Sequence, residues 1–144
     1  MSTALTKEST RGPRPDRWRP IIVAGFWILL AAWTWKLLEP RPVPEAVIEG
    51  LRGMSDSLPF LAAKTLHMLG YAILAGLLWA WVPTRGWRRV AVGLLLLHGV
   101  GTEIGQTFVP NRTGKVSDVL IDWVGITAGT LAVRRLEQRS LRPE

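Results

Sequence analysis

The chain has 144 residues, 48% of them hydrophobic, no cysteine and a formal net charge of +7. That length makes one domain, and the lack of cysteine excludes a disulfide framework and thiol chemistry. The positive charge does not point to nucleic acid, because it collects at the ends of apolar blocks, as it does in membrane proteins.

The N-terminal segment carries Lys7, Arg11, Arg14, Arg17 and Arg19 among prolines. Residues 1–19 are expected to be a disordered basic tail. A typical cleavable signal is not expected here: the polar lead is long, and KLLEPRPVPEA, after the first apolar run, lacks a clear small-x-small site. The first apolar block is Ile21–Leu38. Trp18 before it and Trp33 and Trp35 near its far end suit the two interfacial belts, whereas Trp27 is expected to pack in a bundle or face lipid. The next connection, EPRPVPEAVIEGLRGMSDSLPF, starts with proline spacers and holds a weakly amphipathic piece, Glu45–Leu51, suited to a membrane interface.

The second block is Leu66–Val82, with Trp79 and Trp81 at its end and Trp87 in the following loop, again belt positions. The third block is Val90–Phe108 and the fourth is Val119–Val133, with Trp123 inside it as a second exception. A bilayer core of about 30 Å needs about 20 apolar residues in a helix. The first three blocks fit, and the fourth is completed by its polar flanks or by a thinner local bilayer. A soluble four-helix bundle would show a polar face every turn, yet Ile21–Ala32 and Val90–Gly101 show none wider than a single His or Trp. The expected fold is an all-α membrane protein with four transmembrane helices, spanning about 21–38, 64–82, 90–108 and 118–133. The membrane domain covers 20–133, and 134–144 forms a second basic tail.

Charge sets the expected orientation. The N-terminal tail, the second loop with Arg85, Arg88 and Arg89, and the C-terminal tail with Arg134, Arg135, Arg139 and Arg142 are strongly basic. The other two connections are not. The positive-inside rule then puts both termini in the cytoplasm. The tails need no role beyond setting topology and touching anionic lipid.

With that topology, polar residues from three helices converge near the outer surface. Lys64, His67 and Tyr71 share one face of the second span, Glu103 and Gln106 one face of the third, and Asp118 and Asp122 one face of the fourth. Gly125 and Gly129 continue that last stripe as a small-xxx-small packing pair. Several of these residues also have ordinary readings: Lys64 snorkels, Asp118 caps a helix, Tyr71 joins a belt and His98 makes a mid-membrane packing contact. Glu103, Gln106 and Asp122 resist such readings, because a carboxylate inside a span costs about 2.5–3.5 kcal/mol on insertion scales. Arg112, in the loop between the last two spans, is the natural partner for Glu103 or for an anionic ligand.

These residues also carry a resemblance. The pieces KTLHMLGYAILAGLL and EIGQTFVPNRTGKVSDVLIDWVG, with the trailing ITAG, resemble the VanZ-like family of small bacterial membrane proteins over about residues 60–133. The family pattern falls here on Lys64, His67, Glu103, Gln106, Pro110, Arg112, Asp118, Gly125 and Gly129, and departs from it at Asp122, where relatives often carry Asn. The resemblance implies cell-envelope work in the bacterial cytoplasmic membrane and, through the founding member, a link to resistance to the glycopeptide antibiotic teicoplanin. It supplies no reaction.

The expected function is binding of an anionic head group, a lipid phosphate or a lipid-linked peptidoglycan precursor, by Lys64, His67, Glu103, Gln106, Arg112, Asp118 and Asp122. A first alternative is an enzyme acting on such a lipid, with Glu103 and His67 catalytic. A second is a structural polar network. A transporter is disfavoured, because no inverted repeat is visible and the polar residues stay at one end. No cofactor and no metal is expected, since there is no His-x-x-x-His or clustered carboxylate motif. The expected partners are membrane lipids, not nucleic acid.

Overall fold

A computed structural model of the protein describes residues 17–140. Most of the N-terminal tail and the last four residues, including Arg142, lie outside the described residues. Five helices follow one another: α1 (Arg19–Leu38), α2 (Glu45–Met54), α3 (Leu58–Trp81), α4 (Arg85–Gln106) and α5 (Val116–Ser140), and there is no strand among the described residues.

Prolines set most of the boundaries. Pro20 and Pro59 stand in the first turns of α1 and α3, where a missing N–H costs nothing. Pro40 and Pro83 disfavour the helical conformation in the residue before them, and Glu39 and Val82 are extended as α1 and α3 end. Thr84 starts α4 by accepting the Trp87 amide hydrogen at 3.4 Å on its hydroxyl. The α4–α5 turn passes through Asn111 at φ 64°, in the left-handed region that Asn tolerates best after Gly. The fourth helix of the sequence reading is longer than expected, with residues 134–140 continuing α5.

Contacts between helices give the chain direction of each. Met68 and Ala72 of α3 face Gly125 and Gly129 of α5, so these two helices run parallel in the tightest contact of the molecule. A Cβ on either glycine would collide with the Met68 or Ala72 carbonyl, so only glycine permits this approach. Helix α1 runs antiparallel to α3, with Trp33 against His67 at one end and Phe26 against Trp81 at the other. Helix α4 returns antiparallel to α5, with Gly99 beside Asp122 and Leu96 accepting from Trp123. The ends of α1 and α4 and the starts of α3 and α5 therefore share one end of the bundle. The opposite end holds Arg85, Arg88 and Arg134.

Polarity is arranged inside out. Ile28, Leu94, Leu97, Leu120 and Val124 are exposed, while His67, Glu103, Gln106 and Asp122 are buried beside an apolar core around Phe26, Leu74, Leu78 and Ile126. Such an exterior suits lipid rather than water. Three helices, α1, α3 and α5, are long and apolar enough to cross a membrane. Helix α4, expected as the third span, has 22 residues, but His98, Glu103 and Gln106 dilute its apolar content. Glu103 and Gln106 point into the bundle, so α4 is the amphipathic member.

The tryptophans divide in a way their spacing does not reveal. Trp35, Trp18 and Trp87 are exposed, as belt residues are. Trp33 and Trp79 turn inward. Trp33 packs edge-on against both His67 and Tyr71, with ring centroids 6.1 and 6.4 Å away, and Trp79 is buried.

Candidate functional site

The polar residues of α3 and α5 meet rung by rung. Because the two helices are parallel, Lys64 and His67 on one face of α3 climb in step with Asp118 and Asp122 on α5. The Lys64 ammonium pairs with Asp118 Oδ1, which also accepts from the Ser117 hydroxyl at 3.0 Å. His67 Nδ1 lies 3.1 Å from Asp122 Oδ1, and the Asp122 side chain is fully buried. When Nδ1–H donates to that carboxylate, Nε2 keeps its lone pair. The next residue on the α3 face is Tyr71, whose hydroxyl lies 3.1 Å from His98 Nδ1 and 3.2 Å from Thr102 Oγ1. His98 Nε2 in turn meets Thr34 Oγ1 at 2.9 Å. The two titratable rungs are thus followed along α3 by a hydroxyl–imidazole chain that ties α1, α3 and α4 together.

Glu103 enters this network from α4. Its Oε2 accepts the Lys115 backbone N–H at 2.8 Å, so the loop back to α5 is pinned by the carboxylate it has just left. Glu103, Asp118 and His67 each place one ligand-type atom within 4.8 Å of the others'. The donor set, one imidazole and two carboxylates, is of a kind that binds zinc, but Asp118 is held by Lys64, and a cation there would have to displace that ammonium.

The distribution of unspent hydrogen bonds separates this cluster from a closed packing network. Glu103 Oε1, Asp122 Oδ2 and Gln106 Nε2 are buried with no hydrogen-bond partner in the protein. Two are acceptors and one is a donor. Buried polar atoms are ordinarily satisfied, so three vacant valences in one cluster ask for a hydrogen-bonding occupant.

Of the seven binding residues expected from sequence, six sit at this end of α3, α4 and α5 as the topology requires. The seventh, Arg112, does not make the pair with Glu103 that the sequence suggested. Its guanidinium donates to the Leu37 carbonyl at 3.2 Å, locking the α4–α5 loop onto the end of α1. Glu103 is already met by the backbone amide of Lys115, three residues before the start of the Asp118–Asp122 stripe. Arg112 instead lines a neighbouring cleft of about 850 Å³ with Arg41, Lys36 and residues of α2. Sequence reasoning also missed Thr34, Thr102 and Trp33. Their signal is weak, since a single Thr or Trp in an apolar run is commonplace and only the helix pairing aims it.

The family model described as VanZ/LLP1 matches residues 21–137, most of the chain. No curated protein and no solved structure matches it. The chain belongs to the VanZ/LLP1 family.

Proposed function

We propose that this VanZ/LLP1 protein is a multi-pass protein of the bacterial cytoplasmic membrane whose buried polar cluster binds the head group of an anionic envelope lipid. In this reading α1, α3, α4 and α5 each cross the bilayer, α4 with its polar face turned inward. Both termini are cytoplasmic, because they share the arginine-rich end. The polar cluster then faces outward. The observation that carries the proposal is the set of vacant buried valences at Glu103, Gln106 and Asp122.

The charge balance defines the head group more narrowly than sequence did. Glu103, Asp118 and Asp122 outnumber Lys64 and His67, so a bare phosphate is poorly matched to the deep cluster. A head group with hydroxyls as well as phosphate fits better. Its hydroxyls donate to Glu103 Oε1 and Asp122 Oδ2, one of its oxygens accepts from Gln106, and its phosphate stays near Lys64 and Arg112. Lipid-linked sugar phosphates of cell-wall synthesis and phosphatidylglycerol both have this chemistry. An effect on glycopeptide susceptibility is part of this proposal and is suggested only by the resemblance to the founding member of the family.

The test is lipid capture. Purified wild type, Glu103→Gln and Arg112→Ala, at matched thermal stability, are incubated with envelope lipid extract and their bound lipids read by mass spectrometry. A hydroxylated anionic lipid retained by wild type and lost from both variants is the expected result. Equal retention by all three would eliminate the reading.

A second reading, an enzyme acting on the same lipid, draws on the His67–Asp122 pair. A carboxylate that orients an imidazole is a general-base arrangement, and Glu103 is close enough to share a proton relay. It predicts a product in the same incubation that Glu103→Gln and His67→Ala no longer form. Turnover that survives both substitutions removes those residues from catalysis. If Glu103→Gln cannot fold at all, the cluster is a structural network.

A further inference from the structure

At the other end of the bundle, between α4 and α5, lies a cleft of about 480 Å³ whose rim carries Arg85, Arg88, Arg89 and Arg134. Trp79 forms its inner wall and Val92 and Leu96 its apolar side. Glu137 is the one acidic residue lining it, and its charge is spent: its carboxylate takes two guanidinium nitrogens of Arg88, each at 3.0 Å, and the Trp79 indole N–H at 3.1 Å. Arg88 is further fixed by donating to the Val82 carbonyl at 2.8 Å and by stacking 4.9 Å from the Trp79 ring centre. Arg134 lies 5.7 Å from the same ring. Arg85, Arg89 and Arg134 make no ion pair among the described residues. A further polar atom, Thr130 Oγ1, is buried without a partner on a residue that lines the cleft.

We infer that this cleft is a second ligand site, for the phosphate head group of an anionic phospholipid in the leaflet opposite the polar cluster. The shape and the charge agree. Three guanidinium groups without carboxylate partners supply donors for phosphate oxygens, Thr130 supplies a hydroxyl inside, and Val92 and Leu96 offer an apolar wall for the first methylenes of an acyl chain. The apolar wall is what favours a lipid over a free anion. Arg88, Glu137 and Trp79 do not bind in this scheme; they brace the rim so that the other arginines are held in place before the lipid arrives.

The test uses the full chain in detergent, with phosphatidylglycerol, phosphatidylcholine and inorganic phosphate as probes and native mass spectrometry as the readout. Phosphatidylglycerol should bind wild type more tightly than phosphatidylcholine. Each of Arg85→Gln and Arg134→Gln should weaken it roughly fivefold, and the double variant about thirtyfold, from about 1 kcal/mol per basic residue near an anionic lipid. Arg135→Gln, the same charge change on an exposed position that does not line the cleft, should leave binding within about twofold of wild type. No preference for phosphatidylglycerol, or a loss equal in Arg135→Gln and Arg134→Gln, overturns the site. Inorganic phosphate that displaces the lipid at equal concentration overturns the lipid assignment in favour of a free-anion site. Should the double variant not fold, Arg89→Gln, an exposed and unpaired rim residue, gives the same discrimination. Glu103→Gln leaves this binding intact, so failure here and failure of the polar-cluster reading are separable.

Discussion

The two ends of the bundle solve opposite electrostatic problems with the same pair of helices. At one end the charges are carboxylates and lie deep: Asp122 and Glu103 are sealed between α3, α4 and α5, and the atoms left over include an oxygen of each carboxylate. At the other end the charges are guanidiniums at a rim, and the groups left over are donors. Depth decides how much each charge matters. A buried carboxylate without its partner bears the full desolvation cost, whereas a rim arginine keeps part of its hydration and is screened by salt. The deep end is therefore built for geometry and the shallow end for attraction.

Substitutions can break this contrast. The largest effect is expected at Asp122. Asp122→Ala leaves His67 without its acceptor and a void beside Gly99, and should lower stability by about 3–5 kcal/mol. Asp122→Asn keeps a side-chain oxygen for His67 and should cost much less. Equilibrium unfolding in mixed micelles distinguishes them, and equal losses would mean that the carboxylate charge, which both variants lack, holds the site rather than volume or a neutral acceptor. Next comes Gly125→Ala. Its methyl would press into the Met68 carbonyl and wedge α3 from α5, costing about 1–3 kcal/mol by overpacking. Because the wedge sits just below the His67–Asp122 rung, lipid capture at the polar cluster should fall more than binding at the arginine cleft. A uniform loss at both ends would show that the helices move as one rigid pair.

The smallest effect belongs to the shallow end. Glu137→Gln removes the carboxylate braced by Arg88, in a pair whose Glu side chain is 40% exposed. The cost should be about 0.2–1 kcal/mol and should shrink as salt is raised. A salt-independent loss of several kcal/mol would place this pair with the buried ones and erase the contrast.

Much of the architecture was legible in the apolar blocks. Three of the four expected spans, the first, second and fourth, stand as helices long and apolar enough to cross a bilayer, whereas the third, α4, is a 22-residue helix that is less apolar. Their observed limits, such as Leu58 for α3, lie beyond the apolar blocks, because a helix continues into the flanking sequence until a proline or a cap stops it. The α2 helix was half visible, as an amphipathic stretch with no partner named. At the site, the i, i+3 and i, i+4 spacings correctly put Lys64 with His67 and Asp118 with Asp122 on single faces. What spacing could not reveal was pairing across helices. Arg112 is the instructive miss: sequence shows a cation near an acid, but the Glu103 carboxylate is met first by the Lys115 amide, which the turn carries past it. Trp33 and Trp79 are similar, because an indole near a helix end serves a membrane belt or a polar network equally well until its neighbours are known.

Sequence alone determined the helical class, the order of apolar segments, the clustering of Arg85, Arg88, Arg89 and Arg134 beyond the apolar blocks and the identity of the polar residues gathered at the other end. These follow from local rules: helix length against bilayer thickness, proline punctuation and the period of 3.6 residues. Only the tertiary structure decided that α3 and α5 run side by side in parallel, that Lys64 takes Asp118 and His67 takes Asp122, and that Glu103, Gln106 and Asp122 are left with atoms to spare. The reason is physical. A helix fixes which side chains share its own face, but the register between two helices is set by where they approach most closely, and here that is where Gly125 and Gly129 let one backbone lie against another.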